Sequence, residues 1–157
     1  MKSTEAVIAT LERNPALIVP LVHEMPPALL KRRPTPGAWS AHEIACHLAD
    51  AQPIFFERLD LMLRETHPRI KPFHPAGDHE EGALLKVDLG TALDRFIHDR
   101  IRLVERLQGL SPEDWQRTAE HPEYAHYSVF IMFRHLALHD LMHAYSIEEL
   151  RLKKEWV

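Results

Sequence analysis

Three histidines recur at intervals of four residues near the C-terminal end of the chain, at His135, His139 and His143. In a helix, residues four apart lie on one face with Cβ atoms roughly 5–6 Å apart, so such a pair can bind one metal ion. All three cannot easily share it, because His135 and His143 are about 12 Å apart along the axis at about 1.5 Å per residue. The spacing indicates a metal-binding pair and leaves open which pair it is.

The apolar face of this predicted helix favours the pair His139 and His143. At about 100° per residue both fall inside the apolar stripe, whereas His135 falls at its edge. Buried imidazoles need polar partners, so two of them side by side in a core are costly unless something joins them. A metal ion would do so, but for this stretch alone core packing is an equally good interpretation. The stripe consists of Val129, Met132, Leu136, Ile147 and Leu150.

A second predicted helix carries His47. It begins after Ser40, which forms a capping-box pattern with Glu43. His47 lies at the margin of the apolar stripe of this helix, and taken alone it is better interpreted as a boundary residue that hydrogen-bonds to a neighbour. His42 points to a different side of the helix, and we predict that it lies on the surface.

Composition excludes several classes of function. At 157 residues the chain is predicted to form one domain, residues 1–157. A formal net charge of −4 without a Lys/Arg block argues against nucleic acid as a partner. A single cysteine, Cys46, excludes an internal disulfide. Together with the absence of a secretory pattern and of an apolar run of ~20 residues, it predicts a cytoplasmic protein without a membrane partner.

Four amphipathic segments organise the chain: residues 3–24, the helix that begins after Ser40, residues 84–107 and residues 128–152. None shows the alternation of a strand. The pattern predicts an all-α fold, an antiparallel up-and-down four-helix bundle. Residues 66–86 are predicted to form a long loop, whose histidines are weak ligand candidates. These histidines are His67, His74 and His79.

The motifs and their order resemble those of the DinB/YfiT-like family of helical-bundle metalloenzymes. One motif spans residues 36–50, and includes the run Trp39-Ser40 and the later His-Leu-x-Asp. The other comprises residues 121–124 and the histidine helix from residue 128. The resemblance covers nearly the whole chain, and it implies a four-helix bundle, often dimeric, in which three histidines bind a divalent metal. By motif position these ligands are His47, His139 and His143.

Four further residues are candidates for the surroundings of such a metal. Glu43, Asp50 and Asp140 carry carboxylates that could accept a hydrogen bond from a ligand imidazole. For each of them a solvated charge on a helix surface is the commoner role, and Glu43 could act only as a cap. His135 could either support a ligand or line the substrate pocket.

Three neutral imidazoles leave a coordination position for water or substrate, which is typical of a catalytic site. The relatives of the family that this chain resembles include transferases and isomerases that use low-molecular-weight thiols, and also metal-dependent hydrolases. The resemblance therefore implies an activity of one of these kinds. We therefore predict a divalent-metal-dependent enzyme acting on a small molecule, with S-transferase chemistry ahead of hydrolysis and zinc or nickel ahead of iron or manganese. The alternatives are a bundle that binds a metal or a partner without turnover, and a metal-free, hydrogen-bonded histidine core. A homodimer is implied by the resemblance alone.

Overall fold

Helices make up the regular structure of this computed structural model, which describes residues 1–72, 81–154 and 156. Apart from two isolated β-bridges, these residues form no strand. The predicted all-α, four-helix fold is therefore confirmed. The helices are α1 (Thr4–His23), α2 (Pro27–Leu30), α3 (Ala41–Arg64), α4 (Leu89–Gln108), α5 (Pro112–Gln116) and α6 (Val129–Leu152), with a 3-10 turn at Ala83–Lys86.

Side-chain caps fix where the site-bearing helices begin. The Ser40 hydroxyl accepts a hydrogen bond from the backbone N–H of Glu43, and the Glu43 carboxylate accepts one from the N–H of Ser40, so the predicted capping box of α3 is present. Ser128 caps α6 in the same way through the N–H of Ile131. Both helix starts therefore agree with the sequence analysis.

Other helix boundaries differ from the predictions. The helix expected at residues 84–107 begins at Leu89, because the Asp88 carboxylate accepts a hydrogen bond from the N–H of Thr91 and acts as the cap. The first segment forms a single helix, α1, although it contains Pro15 and Pro20. Residues 73–80, with the weak ligand candidates at positions 74 and 79, lie outside the described part of the chain.

Two apolar clusters, one at each end of the bundle, reveal the direction of each long helix. The first cluster contains the beginnings of α1 and α6 and the ends of α3 and α4. The second contains the opposite ends of the same four helices. Hence α1 and α6 run in one direction, and α3 and α4 run in the other. Members of the first cluster include Leu11, Met62, Leu107 and Met132, and members of the second include Ile18, Leu48, Phe96 and Ile147.

In chain order the four long helices run up, down, down and up. The sequence analysis expected strict alternation instead. The difference arises in the connection between α3 and α4, which returns along the length of the bundle. Ile70 packs into the first cluster and Leu84 into the second, so α4 begins at the same end as α3. A connection from residue 65 to residue 88 is long enough to span a helix of about 36 Å.

This connection also explains why the prediction for His42 was wrong. His42 is buried rather than on the surface. Its Nε2–H donates a hydrogen bond to the carbonyl of Val87, 3.0 Å away, because the chain before α4 covers the first turn of α3. Burial lowers the pKa of His42 below its ordinary value, and so does the positive charge of Lys31. His42 is therefore held neutral by the fold.

A buried polar network crosses the centre of the bundle between the two apolar clusters. Arg100 of α4 donates hydrogen bonds to Asp140 of α6 at 2.6 Å, to Gln52 of α3 at 3.1 Å and to the carbonyl of Leu11 at 3.1 Å. Asn14 of α1 donates to the same Asp140 carboxylate at 2.9 Å. One side chain from each long helix thus contributes, and the network fixes the height at which α6 sits against its neighbours.

None of the helices in the described ranges has both the length and the apolar character needed to cross a bilayer.

Candidate metal centre

Three imidazoles from two helices converge at the interface of α3 and α6. His47 lies in the second turn of α3, and His139 and His143 lie one turn apart in α6. Nε2 of His139 is 3.1 Å from Nε2 of His47 and 3.1 Å from Nε2 of His143. One ring nitrogen from each of the three residues lies within 4.8 Å of those of the other two. The structure thus brings together the three residues that the family resemblance indicated.

Hydrogen bonding cannot account for both of the short contacts of His139. An imidazole nitrogen carries either one lone pair or one N–H, so Nε2 of His139 can form one good hydrogen bond, not two. Two ligands about 2.0–2.1 Å from a tetrahedral metal ion are about 3.3 Å apart, which is close to the observed separations. The donor set and its spacing therefore fit a single divalent metal ion.

The cluster is largely shielded from solvent. His47 is 2% exposed and His143 is 8% exposed, while the side chain of His139 is 23% exposed. Trp39, just before α3, covers one side, with its ring centroid 4.7 Å from that of His47 and 6.3 Å from that of His143. His139 is therefore the member through which the cluster meets the solvent-accessible pocket.

Burial keeps His143 uncharged at neutral pH in the absence of a metal. The pKa of His143 is lowered to about 4, chiefly by burial and then by the positive charge that His139 can carry. At neutral pH His143 is a neutral base, the form in which imidazole binds metals. The neighbouring Cys46 is buried, and its pKa is raised to about 11, so it is a thiol rather than a thiolate at neutral pH.

Asp140 is the predicted carboxylate that approaches the cluster. Its Oδ1 lies 4.0 Å from Nδ1 of His139, and its Oδ2 accepts the hydrogen bonds of Arg100 and Asn14. Burial alone would raise the pKa of Asp140, but the contacts with His139 and with the Arg100 guanidinium outweigh it and lower the pKa. A negative carboxylate is thus held beside the outer nitrogen of His139, where it favours a proton on that nitrogen and leaves Nε2 to face the cluster.

The other two predicted carboxylates have different partners. Glu43 is buried and forms an ion pair with Arg33 at 2.6 Å in addition to its capping role. Asp50 forms an ion pair with Arg95 of α4. Glu43 therefore anchors the segment before α3, and Asp50 contributes to the packing of α3 against α4.

His135 lines a pocket beside the cluster, one of the two roles that the sequence left open. The pocket has a volume of about 200 Å³ and includes His47 and His139 in its wall. We refer to it as the Arg58 pocket, after the arginine at its far side. Its other lining residues are Ala51, Ile54, Phe55, Pro72, His121, Glu123, Tyr124 and Tyr127.

The aromatic wall of the Arg58 pocket was not predicted. His121 stacks against Tyr124 and Tyr127, with ring centroids 4.5 Å apart in both pairs. Tyr124 also meets His135 edge-on at 5.3 Å. The motif at residues 121–124 was visible in the sequence, but its contact with α3 depends on how the chain before α6 folds. The pairing of residues 119 and 127 through their backbones brings this loop over the site.

A second cavity reaches the cluster from the opposite side. It has a volume of about 840 Å³ and includes Trp39 and His143. It is larger than the Arg58 pocket, but it contains a single histidine of the cluster, and that histidine is buried. The Arg58 pocket contains two, including the most exposed one, and is therefore the better candidate for a substrate site.

Comparison with known proteins agrees with this architecture. The solved structure of YfiT from Bacillus subtilis, described as a probable metal-dependent hydrolase with an unusual four-helix bundle topology, matches with a TM-score of 0.86 at 22% identity, over 100% of this chain and 93% of that chain. The four-helix bundle protein TT2238 matches with a TM-score of 0.68 at 20% identity, over 93% and 98% of the two chains. These likenesses establish the fold.

Similarity in sequence is found to proteins of Oceanobacillus and Bacillus species. A protein of Oceanobacillus iheyensis that bears the name "putative metal-dependent hydrolase" is 31% identical over 125 residues, which cover 76% of this chain and 69% of the relative. A protein of Bacillus cereus with the same name is 29% identical over 144 residues, or 87% and 82% of the two chains. The model of the DinB superfamily matches residues 10–147, a range that includes all three clustered histidines. This chain belongs to the DinB superfamily.

Proposed function

We propose that the protein is a divalent-metal-dependent enzyme that acts on a small molecule, and that His47, His139 and His143 bind the metal. The observation that carries the proposal is the convergence of three ring nitrogens from two helices within 4.8 Å of one another. Zinc and nickel are the first candidates, and iron and manganese are the alternatives, because imidazole ligands suit several divalent metals. The names of the relatives support metal dependence.

The surroundings of the cluster support a catalytic rather than a structural metal. A structural zinc site has four protein ligands, whereas this cluster has three within the described residues. When bound, such a metal activates water or polarises a carbonyl group. Asp140 orients His139, and Trp39 limits the access of water from one side. The Arg58 pocket provides an approach to the remaining position.

His135 is suited to accept a proton in the Arg58 pocket. Burial lowers its pKa below the ordinary value for histidine, and the nearby His139 and Arg58 act in the same direction. A neutral imidazole beside the reacting group is a common general base. We assign this role to His135 because it lines the same small pocket as His47 and His139.

Between the two reactions considered, we now propose hydrolysis ahead of thiol transfer, and the names of the relatives support this order. The buried Cys46 offers no thiolate of its own, so a thiol reaction would require an external low-molecular-weight thiol. Hydrolysis requires only water, a metal and a base. Thiol transfer remains the second candidate, on the strength of the family resemblance.

The experiment that tests the proposal measures turnover with zinc-loaded and nickel-loaded protein. Nitrophenyl esters test hydrolysis, and chlorodinitrobenzene with and without a small thiol tests transfer. We expect ester hydrolysis by the wild type and its loss in His47→Ala. His98→Ala removes an exposed histidine of α4 and serves as the matched control. Equal rates for wild type and His47→Ala would contradict the proposal and leave a bundle that binds without turnover.

The predicted homodimer and cytoplasmic location stay predictions. The face of α6 that points away from the core exposes Leu138, Met142 and Tyr145, which form an apolar stripe suited to helix pairing. Light scattering of the purified protein tests the homodimer. If this stripe forms the contact, Met142→Glu should yield a monomer, whereas an unchanged dimer would place the contact elsewhere.

A further inference from the structure

The Arg58 pocket contains a cationic side chain at the end opposite the histidine cluster. Arg58 follows His47 by eleven residues in α3, so at about 100° per residue both point to nearly the same side of the helix. The two Cα atoms are about 16 Å apart along the axis at about 1.5 Å per residue. Both side chains tilt towards the N-terminus of α3, and the longer side chain of Arg58 therefore reaches back towards the cluster. The pocket therefore offers two fixed points to one small molecule.

Within the described part of the chain, the contacts of Arg58 leave its positive charge without a counter-charge. Its guanidinium donates to the carbonyl of Lys71 at 2.8 Å and to the hydroxyl of Tyr127 at 3.4 Å, both of which are neutral acceptors. No carboxylate of the described residues forms an ion pair with it. A guanidinium has five N–H donors, so donors remain for a ligand. The two contacts hold the side chain in place without satisfying its charge.

Among the described lining residues, Arg58 brings the one positive charge inside the pocket. Burial lowers the pKa of His121 and of His135, and the charge of Arg58 lowers both further, so both imidazoles are neutral at physiological pH. Among the described lining residues the one carboxylate belongs to Glu123, which is exposed at the rim. A metal at the histidine cluster would add to the positive charge. An anionic group is therefore favoured inside the pocket.

The walls between Arg58 and the cluster suit a flat, apolar body. Tyr124 and His121 present two adjacent rings on one side, tilted by 33° to each other. Phe55 of α3, over which the Arg58 guanidinium lies at 5.9 Å, contributes a further ring. Aromatic side chains favour planar ligands by stacking and by edge-on contact. The volume of about 200 Å³ limits the ligand to a small one.

From this arrangement we infer that the Arg58 pocket binds a small carboxylate with a planar apolar body, that Arg58 holds the carboxylate, and that the scissile group is thereby presented to the histidine cluster. The inference deepens the proposed function, on which it rests, by naming the substrate class. Arg58 acts as a specificity-determining residue that touches the substrate away from the reacting atoms. Arginine suits this task because its planar guanidinium binds a carboxylate with two parallel hydrogen bonds.

Binding of benzoate and of the neutral isostere benzamide, measured by titration calorimetry, tests the inference. Because a carboxylate also binds metals directly, the titrations use chelator-treated protein. We expect the wild type to bind benzoate at least about tenfold more tightly than benzamide, which corresponds to about 1.4 kcal/mol. Arg58→Gln should remove this preference, and Arg58→Lys should retain part of it. Arg64→Gln, which removes an exposed arginine one to two turns later in α3, should bind as the wild type does.

Equal affinities of the wild type for benzoate and benzamide would overturn the inference, whatever the variants do. A benzoate preference that survives in Arg58→Gln would also overturn it, since another group would then bind the carboxylate. The inference and the proposed function can fail independently of each other. A metal-loaded enzyme that hydrolyses neutral esters but shows no benzoate preference would refute the inference alone, whereas an inactive protein that prefers benzoate through Arg58 would refute the enzyme proposal alone.

Discussion

The bundle buries two sets of polar side chains, and they differ in how their hydrogen-bonding needs are met. In the central network the positive charge of Arg100 meets the negative charge of Asp140, and Asn14 and Gln52 supply neutral partners. In the histidine cluster three bases point at one another, and Nε2 of His139 faces two others at 3.1 Å. The network pairs its charges within the protein, although Arg100 Nη2 and Asp140 Oδ1 have no hydrogen-bond partner among the described residues. The cluster, in contrast, has a spacing that fits a bound cation.

The difference indicates different tasks for the two regions. A buried ion pair with further hydrogen bonds fixes the register of the helices, and its loss is costly because one charge remains in the core. A cluster of bases in a core contributes little to stability until a ligand joins it. Asp140 links the two regions, because one of its oxygens belongs to the network and the other faces His139. The network thus positions the site.

The largest loss of stability is expected when one partner of the ion pair in the central network is removed. Arg100→Met leaves the Asp140 carboxylate buried without its cation, so we expect the free energy of unfolding to fall by about 3–5 kcal/mol. Urea denaturation measures it. The matched control Arg106→Met removes an arginine of the same helix from its exposed pair with Asp60, and should cost less than about 1 kcal/mol. Equal losses for the two variants would show that the network has no special role.

The pH dependence of stability is a smaller effect, and it distinguishes the histidine cluster from the central network. In metal-free protein His143 is protonated only near pH 4, whereas in the unfolded chain its pKa is near 6.5. Between these values the unfolded state binds more protons, so stability falls as the pH falls, by up to about 3 kcal/mol at about 1.4 kcal/mol per pKa unit. The pKa of Asp140 is lowered in the fold, so its contribution is lost only below its ordinary value of 3.8.

Thermal or urea unfolding between pH 4 and pH 7 measures this slope. His143→Gln should reduce it, and His42 and His135, whose pKa values are also lowered, should account for part of what remains. The surface variant Arg106→Met should keep the slope, because its partner Asp60 lies in an exposed ion pair. A slope that is unchanged in His143→Gln would mean that His143 titrates normally in the folded protein.

Removal of a metal bound at the cluster should lower the free energy of unfolding by a similar or slightly smaller amount than the change of pH does. A ligand present at about one hundred times its Kd raises the free energy of unfolding by about 2.7 kcal/mol. For a chain of this size that corresponds to about 5–10 °C in Tm. Chelator should therefore lower the Tm of wild-type protein, and it should leave that of His139→Ala unchanged. An identical response of both proteins would place the chelated metal outside the cluster.

Much of the fold was predictable because its signals are local. The Ser40 and Ser128 caps and the apolar stripes identify the site-bearing helices correctly. The direction of α4 was not predictable, because the length of the connection after α3 permits either end of the bundle. The burial of His42 was missed for the same reason, since the chain before α4 covers it. Long-range packing decided both.

The site was predictable in part. The four-residue spacing and the apolar stripe select His139 and His143, but it was the family resemblance that added His47, since no local pattern joins two helices distant in sequence. Arg100 had a signal that was overlooked, because it lies at a core position four residues after Phe96. The proposed role of Arg58 had no signal in the sequence, because its pocket forms only when residues 119–127 fold over α3.

Elemental analysis of the purified protein tests the central claim most directly. Wild-type protein and the control His98→Ala should each contain about one divalent transition-metal ion per chain, because the cluster forms one three-ligand site. His139→Ala, which removes the histidine that contacts both of the others, should lose it while remaining folded. Wild-type protein that binds no metal even when zinc and nickel are supplied, or His139→Ala that retains the full amount, would contradict the account.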